Sequence, residues 1–327
     1  MPVIVTYSRN VFIPLTRTCR NSCHYCGFRR NDGRVMEKNE VTDLLKRAKN
    51  SAEALFTFGE RPDEFREVRE WLERKGYGSF VEYVYHMNLL AIENGLLPHT
   101  NAGILERDEL RMLKDVNASM GLMLEQAVEL ECHSESPGKK PELRIRTIRD
   151  AGKLEIPFTT GILIGIGEDR EDRYYSLEVI ADLADNYGHI QEVIIQNFSP
   201  KEGTEMESWK KPELAEMIDA VRYARKIMPE RVAVQVPPNL VSDLLPLLDS
   251  GARDIGGISE VTPDYINPEH PWPDLKKIER SLNGRYVLRE RLPIHPLFVR
   301  EGWYGEKLAH LIESYSDKEG YRCSKQI

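Results

Sequence analysis

Thr18-Cys19-Arg20-Asn21-Ser22-Cys23-His24-Tyr25-Cys26 places three cysteines within eight residues, at C-x3-C-x2-C spacing, with an aromatic residue just before the last. Thiolates this close in sequence can turn around one small inorganic group and ligate it together. Soft sulfur donors select zinc, copper(I) or iron–sulfur clusters. Structural zinc takes four ligands, usually from two knuckles. No second cysteine pair follows here, so a zinc site needs His24 or a distant residue to complete it. Three thiolates suit an iron–sulfur cube with one iron left open for a ligand that is not protein.

Outward from this stretch, short apolar runs alternate with longer amphipathic ones, the pattern of strand–helix units around a parallel sheet. Val11-Phe12-Ile13-Pro14-Leu15 reads as a first strand ending at the cysteine loop, and further strands are expected at 52–58, 96–101, 119–124, 159–164, 193–195, 232–236 and 254–256. Helical spacing is found at 40–48, 64–74, 80–93, 108–114, 142–150, 172–186, 212–227, 240–248, 274–282 and 306–315. Eight units make an α/β fold, a (β/α)8 TIM-type barrel with a C-terminal helical extension. The expectation is one domain over 1–327, with its core at about 5–250 and a closing segment at about 251–327.

Hydrophobic content of 41% beside 30% charged residues is that of a water-soluble globular chain with enough apolar matter for a barrel core. No apolar run reaches the roughly 18 residues of a membrane span, and residues 1–15 carry Arg9 and no signal-like apolar stretch. A net charge of −8 argues against nucleic acid or an anionic membrane as partner. Five cysteines, three of them clustered, are the usage of a reducing cytoplasm rather than of a disulfide framework. Cys132 and Cys323 are left over and are read as ordinary thiols, too few for a second cluster of the usual ligation.

C-x3-C-x-aromatic-C after a short apolar strand resembles the signature of the radical S-adenosylmethionine (SAM) superfamily. The resemblance implies a four-iron, four-sulfur (4Fe-4S) cluster on Cys19, Cys23 and Cys26. Its open iron is chelated by the amino and carboxylate groups of S-adenosylmethionine, whose reductive cleavage starts radical chemistry. Phe58-Gly59-Glu60 stands where the superfamily carries Gly-Gly-Glu for the methionyl ammonium, with Phe58 a departure. Glu125 matches the ribose-binding position, and Arg144 offers a planar guanidinium to the methionyl carboxylate or a ribose oxygen. Gly161-Ile-Leu163-Ile-Gly165-Ile-Gly-Glu168 resembles the strand that lays an apolar side chain on the adenine. The cofactor-binding set so implied is Tyr25, Gly59, Glu60, Glu125, Arg144, Gly161, Leu163 and Gly165.

The likeness extends along most of the chain. Cys19–Phe28, Thr57–Pro62, Ile156–Glu168, Gln196–Lys201 and Gly256–Tyr265 resemble the 7,8-didemethyl-8-hydroxy-5-deazariboflavin (FO) synthase family, in its cyclising subunit (subunit 1), with Glu260 where proline is expected. That implies closure of a deazaflavin ring, with loss of ammonia, on a hydroxybenzyl–ribityluracil adduct made by a tyrosine-using second subunit. It also implies an electron donor as a further partner. Gln196, Asn197, Asp264 and Tyr265 are expected to contact the substrate. Another barrel of this branch, of the hydrogenase-maturation or biotin-synthase kind, and a non-catalytic iron–sulfur protein remain alternatives.

Overall fold

The computed structural model describes residues 2–323; Met1 and 324–327, the last four residues of the expected closing segment, lie outside the described residues. Nine strands alternate with helices: β1 Val3–Ile13, β2 Glu53–Thr57, β3 Leu97–Asn101, β4 Ser119–Gly121, β5 Phe158–Ile164, β6 Ile190–Asn197, β7 Ala233–Gln235, β8 Asp254–Ser259 and β9 Tyr286–Glu290. The helices are α1 Lys38–Arg47, α2 Arg66–Lys75, α3 Phe80–Glu93, α4 Arg107–Lys114, α5 Pro141–Lys153, α6 Arg170–Tyr187, α7 Leu214–Ile227, α8 Leu245–Asp249, α9 Leu275–Ser281, α10 Pro296–Glu301 and α11 Glu306–Tyr315. All strand pairings are parallel. β2 to β8 neighbour one another in chain order, and β1 closes the ring by pairing with β8 over Thr6–Asn10 and with β2 over Asn10–Ile13. The result is the expected (β/α)8 barrel.

Strand alternation sorts the side chains. In β2, Ala54 and Phe56 point outward into the layer under the helices, while Glu53, Leu55 and Thr57 face the lumen. In β6, Val193 and Ile195 go outward and Glu192, Ile194 and Gln196 inward. Each helix supplies the matching stripe: Leu177, Ile180, Ala181 and Ala184 of α6 fall at the i, i+3, i+4, i+7 spacing and are buried. Asp169 caps that helix by accepting from the Asp172 backbone N–H (2.9 Å), and Gly188 ends it in the left-handed region (φ 70°).

Four elements differ from expectation. β1 starts at Val3, eight residues before the apolar run at Val11. Its first part interleaves Thr6, Ser8 and Asn10 with Val5, Tyr7 and Arg9, because the first three face a polar lumen, and a search for continuous apolar runs passes over it. The helix expected at 240–248 shrinks to α8, since Pro237, Pro238, Asn239 and Leu240 line the cavity mouth as a turn. β9 and α10 were not foreseen. β9 extends the sheet beside Val3–Tyr7, and the 291–295 segment after it crosses beneath the barrel. There Leu292 and Ile294 pack with Ala52, Leu97 and Ala118 at the start of three strands, with Phe298, Leu308 and Ile312 of α10 and α11 below.

That segment brings Arg291 into the barrel floor. Its guanidinium donates to Asp254 (Nε to Oδ2 2.6 Å, Nη2 to Oδ1 3.0 Å) and to Glu192 Oε1 (2.8 Å), all three groups being buried. Asp254 also accepts from Thr6 Oγ1. Burial opposes ionisation of Asp254, yet the Arg291 charge holds its carboxyl well below the usual carboxylate range. Removing one partner of such a network strands the others in low dielectric. Arg291→Met is therefore expected to destabilise the cluster-free protein by about 3–5 kcal/mol, read from urea unfolding midpoints; an unchanged midpoint would mean that the network contributes nothing.

Candidate functional site

Backbone hydrogen bonds to two neighbours shape the loop that follows β1. On one side, the end of β2 meets it: Gly59 N–H donates to Thr16 O (3.0 Å), Arg20 N–H to Glu60 O (3.0 Å) and Glu60 N–H to Cys19 Sγ (3.2 Å). A Cβ at position 59 would collide with the Thr18 carbonyl, so glycine is required for this approach. On the other side stands the 131–139 loop. Ser22 N–H donates to Glu135 O (3.2 Å), His24 N–H to Cys132 O (3.0 Å), and Gly138 N–H to Asn21 Oδ1 (2.8 Å). Ser136 Oγ lies 3.3 Å from Cys23 Sγ as a donor.

Held this way, Cys19, Cys23 and Cys26 are unpaired, partly buried and all on the wall of one cavity of about 420 Å³ that opens at the C-terminal ends of the strands. Burial pushes the Cys19 and Cys23 thiols up. Among the described residues the three sulfurs do not gather within 4.8 Å of one another. Zinc–sulfur bonds of about 2.3 Å need a tighter set, so the spread favours a polynuclear group over a single ion. Three thiolates and two donors already aimed at sulfur fit a cluster with one open position. Cys132 is buried in an apolar group with Leu163, Ile166, Phe198 and Met206, and burial raises its thiol to about 12; Cys323 is exposed. Neither lines the cavity.

Beside the cysteines lies a buried group of charges. Glu60 accepts from Arg20 Nε (2.8 Å) and the Ile104 N–H (3.1 Å) and stands 3.6 Å from Arg144 Nη1. Burial works against its ionisation, but Arg144 and Arg20 hold it below the usual carboxylate range. Glu125, at φ +65°, accepts from Lys139 Nζ (2.5 Å) and lies 4.0 Å from Arg144, and these two cations likewise outweigh its burial. Arg144 is 4% exposed, not a surface residue, and donates to the carbonyls of Met123 (2.6 Å) and Gly138 (2.9 Å). Glu64 takes the other side of Arg20 (2.9 Å), so three carboxylates and three cations balance, an environment for a ligand that carries charges of both signs. Tyr25, whose hydroxyl pairs with His133 Nε2 (3.0 Å), lines the same cavity, as do Phe58, Gly59 and Leu163.

Gly161 and Gly165 are placed behind the lining side chains. Neither lines the cavity. Gly161 lies against the Ile194 backbone of β6, where a Cβ would clash. Gly165 has φ +93°, and a Cβ there would lie 2.9 Å from Pro212 and 3.4 Å from Phe198. Glu168, the last residue of that pattern, closes the turn by accepting from the Gly165 and Ile166 N–H groups (2.8 Å each) and pairs with Arg173 (2.8 Å). Of the pattern, Leu163 is the side chain that reaches the cavity.

Of the four expected substrate contacts, Gln196, Asn197 and Asp264 line the cavity. Tyr265 does not; its ring rests on Phe12 (centroids 5.4 Å apart). The Asp264 carboxylate is taken up by Ile266 N–H (2.9 Å), Asn267 N–H (3.1 Å) and the side-chain amides of Asn239 (3.0 Å) and Asn267 (3.1 Å), so it orients Asn239 and Asn267 at the mouth. Lys201, whose Nζ donates to Asn267 Oδ1 (2.6 Å), joins them. Also unforeseen are lumen groups deep in the barrel: Ser8, Asn10, Glu53 and His99. A carboxylate opening the strand Glu53-Ala-Leu-Phe-Thr57 was the one signal available for them. Burial raises Glu53 to about 7 and lowers His99 to about 4, so His99 is neutral at physiological pH.

A family model for the radical SAM superfamily matches residues 13–180. The 7,8-didemethyl-8-hydroxy-5-deazariboflavin synthase of Archaeoglobus fulgidus is 64% identical over 319 residues, covering 97% of this chain and 98% of that one. The protein of the same name from Methanosarcina barkeri is 54% identical, covering 97% and 99%. Among solved structures, methylornithine synthase shares 18% identity at a TM-score of 0.64, covering 86% of this chain and 82% of that one. The FeFe-hydrogenase maturase of Carboxydothermus hydrogenoformans shares 16% at 0.65, covering 96% and 78%. At such identities these two carry the fold alone.

Cys23→Ala is expected to lose cluster iron and the brown absorbance together, and Cys132→Ala to keep both, by iron analysis and spectra of the reconstituted proteins; full iron in Cys23→Ala would remove that thiol from the ligand set. Glu53 yields a pH test. Its carboxyl keeps a proton up to about pH 7 in the folded chain but only to about 4.3 when unfolded. Folding therefore takes up a proton between those values, and stability falls as pH rises through them. From pH 5 to pH 8, Glu53→Gln should gain on the wild type by on the order of 3 kcal/mol in urea midpoints. A difference that does not change with pH would mean a carboxyl ionised throughout.

Proposed function

This chain belongs to the radical SAM superfamily and, within it, to the 7,8-didemethyl-8-hydroxy-5-deazariboflavin (FO) synthases, and from that premise we propose that it is the enzyme that closes the deazaflavin ring. Its substrate is the 5-amino-5-(4-hydroxybenzyl)-6-(D-ribitylimino)-uracil adduct, which loses ammonia to give FO, the chromophore of coenzyme F420. The reading rests above all on near-full-length likeness to FO synthases in a chain that sets three thiols on one cavity wall.

Cys19, Cys23 and Cys26 hold a 4Fe-4S cluster, and S-adenosylmethionine occupies the adjoining charged group. Bound together, these two supply the radical that removes a hydrogen atom from the adduct. The chain's own residues bind and orient. Glu60 and the carbonyls around Gly59 receive the methionyl ammonium, and Arg144, fixed by two backbone carbonyls, faces the methionyl carboxylate. Glu125 and Lys139 present an acceptor and a donor to the ribose hydroxyls, and Leu163 and Tyr25 border the adenine. Gln196, Asn197, Asn239, Asn267 and Lys201 surround the adduct near the mouth. Enclosure excludes water from the reacting centre, and orientation replaces much of the acid–base work.

The adduct comes from the tyrosine-using second subunit, and a reductant supplies the electron, in the cytoplasm, where free thiols persist. With S-adenosylmethionine, reductant and the adduct, the anaerobic reconstituted enzyme should release 5′-deoxyadenosine, ammonia and a fluorescent deazaflavin. Deoxyadenosine without deazaflavin would keep the superfamily chemistry and discard the substrate; neither product from a cluster-loaded protein would discard both.

A further inference from the structure

The lumen of a (β/α)8 barrel is ordinarily filled by layers of branched apolar side chains. Here alternate inward positions carry amides and carboxyls, and the cavity continues down between them. Asn10 of β1 and Gln235 of β7 face the middle of the lumen. They fit because β8 supplies Gly257 and Gly256 there: a Cβ at either would collide with the Asn10 or Gln235 amide. Asn10 is 1% exposed, and its Oδ1 has no hydrogen-bond partner. Opposite Asn10 in the strand register lies Glu53, whose carboxyl takes one hydrogen bond, from Ser8 Oγ (2.6 Å). The floor is Glu192 and Asp254 bridged by Arg291. A built cavity with an unmet buried acceptor requires a ligand that brings its own donors.

Resting on the function proposed above, we infer that the ribityl chain of the substrate descends into this lumen, where Asn10, Gln235 and Glu53 hydrogen-bond its hydroxyls above the Glu192–Asp254–Arg291 floor. Each hydroxyl is both donor and acceptor, and so are side-chain amides and a carboxyl that still holds its proton. The hydroxybenzyl ring placed downward instead would leave these groups buried and unpaired. β2 rises about 3.3 Å per residue, so Glu53 and Thr57 stand about 13 Å apart, room for a five-carbon chain below a ring that reacts beside the cysteines. The floor also sets specificity. A phosphate ester at the chain's end would meet three carboxyls and one guanidinium already committed to two of them. The barrel thus selects the free polyol, and any phosphomonoester on the ribityl chain must be hydrolysed in an earlier step.

Three probes test this on the reconstituted enzyme with S-adenosylmethionine and no reductant, by fluorescence titration: FO, its ribityl-5′-phosphate, and the same ring system with methyl in place of ribityl. FO should bind at least tenfold more tightly than either of the others. Asn10→Leu and Gln235→Leu should each weaken FO by fivefold or more while leaving the methyl compound unchanged. Equal affinity of the wild type for FO and the methyl compound would overturn the inference without any variant, and so would phosphate binding as tight as FO. In that case the enzyme would still form FO and the functional reading would stand. No binding of any probe, with no FO formed on adding reductant and adduct, would overturn both.

Discussion

β1 pairs along both edges at once, with β8 over one stretch and β2 over the next, and everything functional hangs on that closure. Because the ring is shut, one face of every strand has no helix to cover it and no sheet to join. The enclosed space is filled or it is a cavity. The 291–295 segment plugs the lower end, while the cysteine loop leaves β1 at the upper end and lies across the mouth. Its position is set less by the cysteines than by backbone pairing with the end of β2 and the 131–139 loop.

Electrostatics explains why a site rich in ionisable groups is stable while buried. At the mouth, Glu60 and Glu125 are each outweighed by nearby cations, and Arg144 is anchored by carbonyls rather than by a single acid. These groups are held in place before any ligand arrives, which lowers the ordering cost of binding. At the floor the balance is different: three acids face Arg291, and the one farthest from direct pairing, Glu53, keeps its proton to about pH 7. Two ends of one cavity thus differ in character, a charged end suited to a zwitterionic cofactor and a largely neutral polar end suited to hydroxyls.

The helical layers, most strands and the cysteine loop were legible in the linear sequence, because each is a local pattern: apolar runs of strand length, the 3.6 period of α6, and thiols within eight residues. The same locality says less at Gly161 and Gly165. A glycine pattern in the right register looks like a cofactor wall, yet one of these glycines accommodates β6 and the other a left-handed turn. Asp264 lines the cavity while Tyr265 packs on Phe12, since neighbours in sequence at a strand end point in different directions.

What the sequence by itself determined was the closed parallel barrel, the three clustered cysteines at its C-terminal rim, and the presence there of Glu60, Glu125 and Arg144. Spacing and strand order suffice for those, and both are one-dimensional. Only the tertiary structure decided that Lys139 and Arg144 share Glu125, that Asp264 serves to orient two asparagines, and that Arg291, from a segment nearly forty residues beyond Asp254, completes a floor beneath a hollow polar lumen. Most of those partners lie on different strands and loops, 14 to 37 residues apart. Their meeting depends on the barrel's curvature, which no local period encodes.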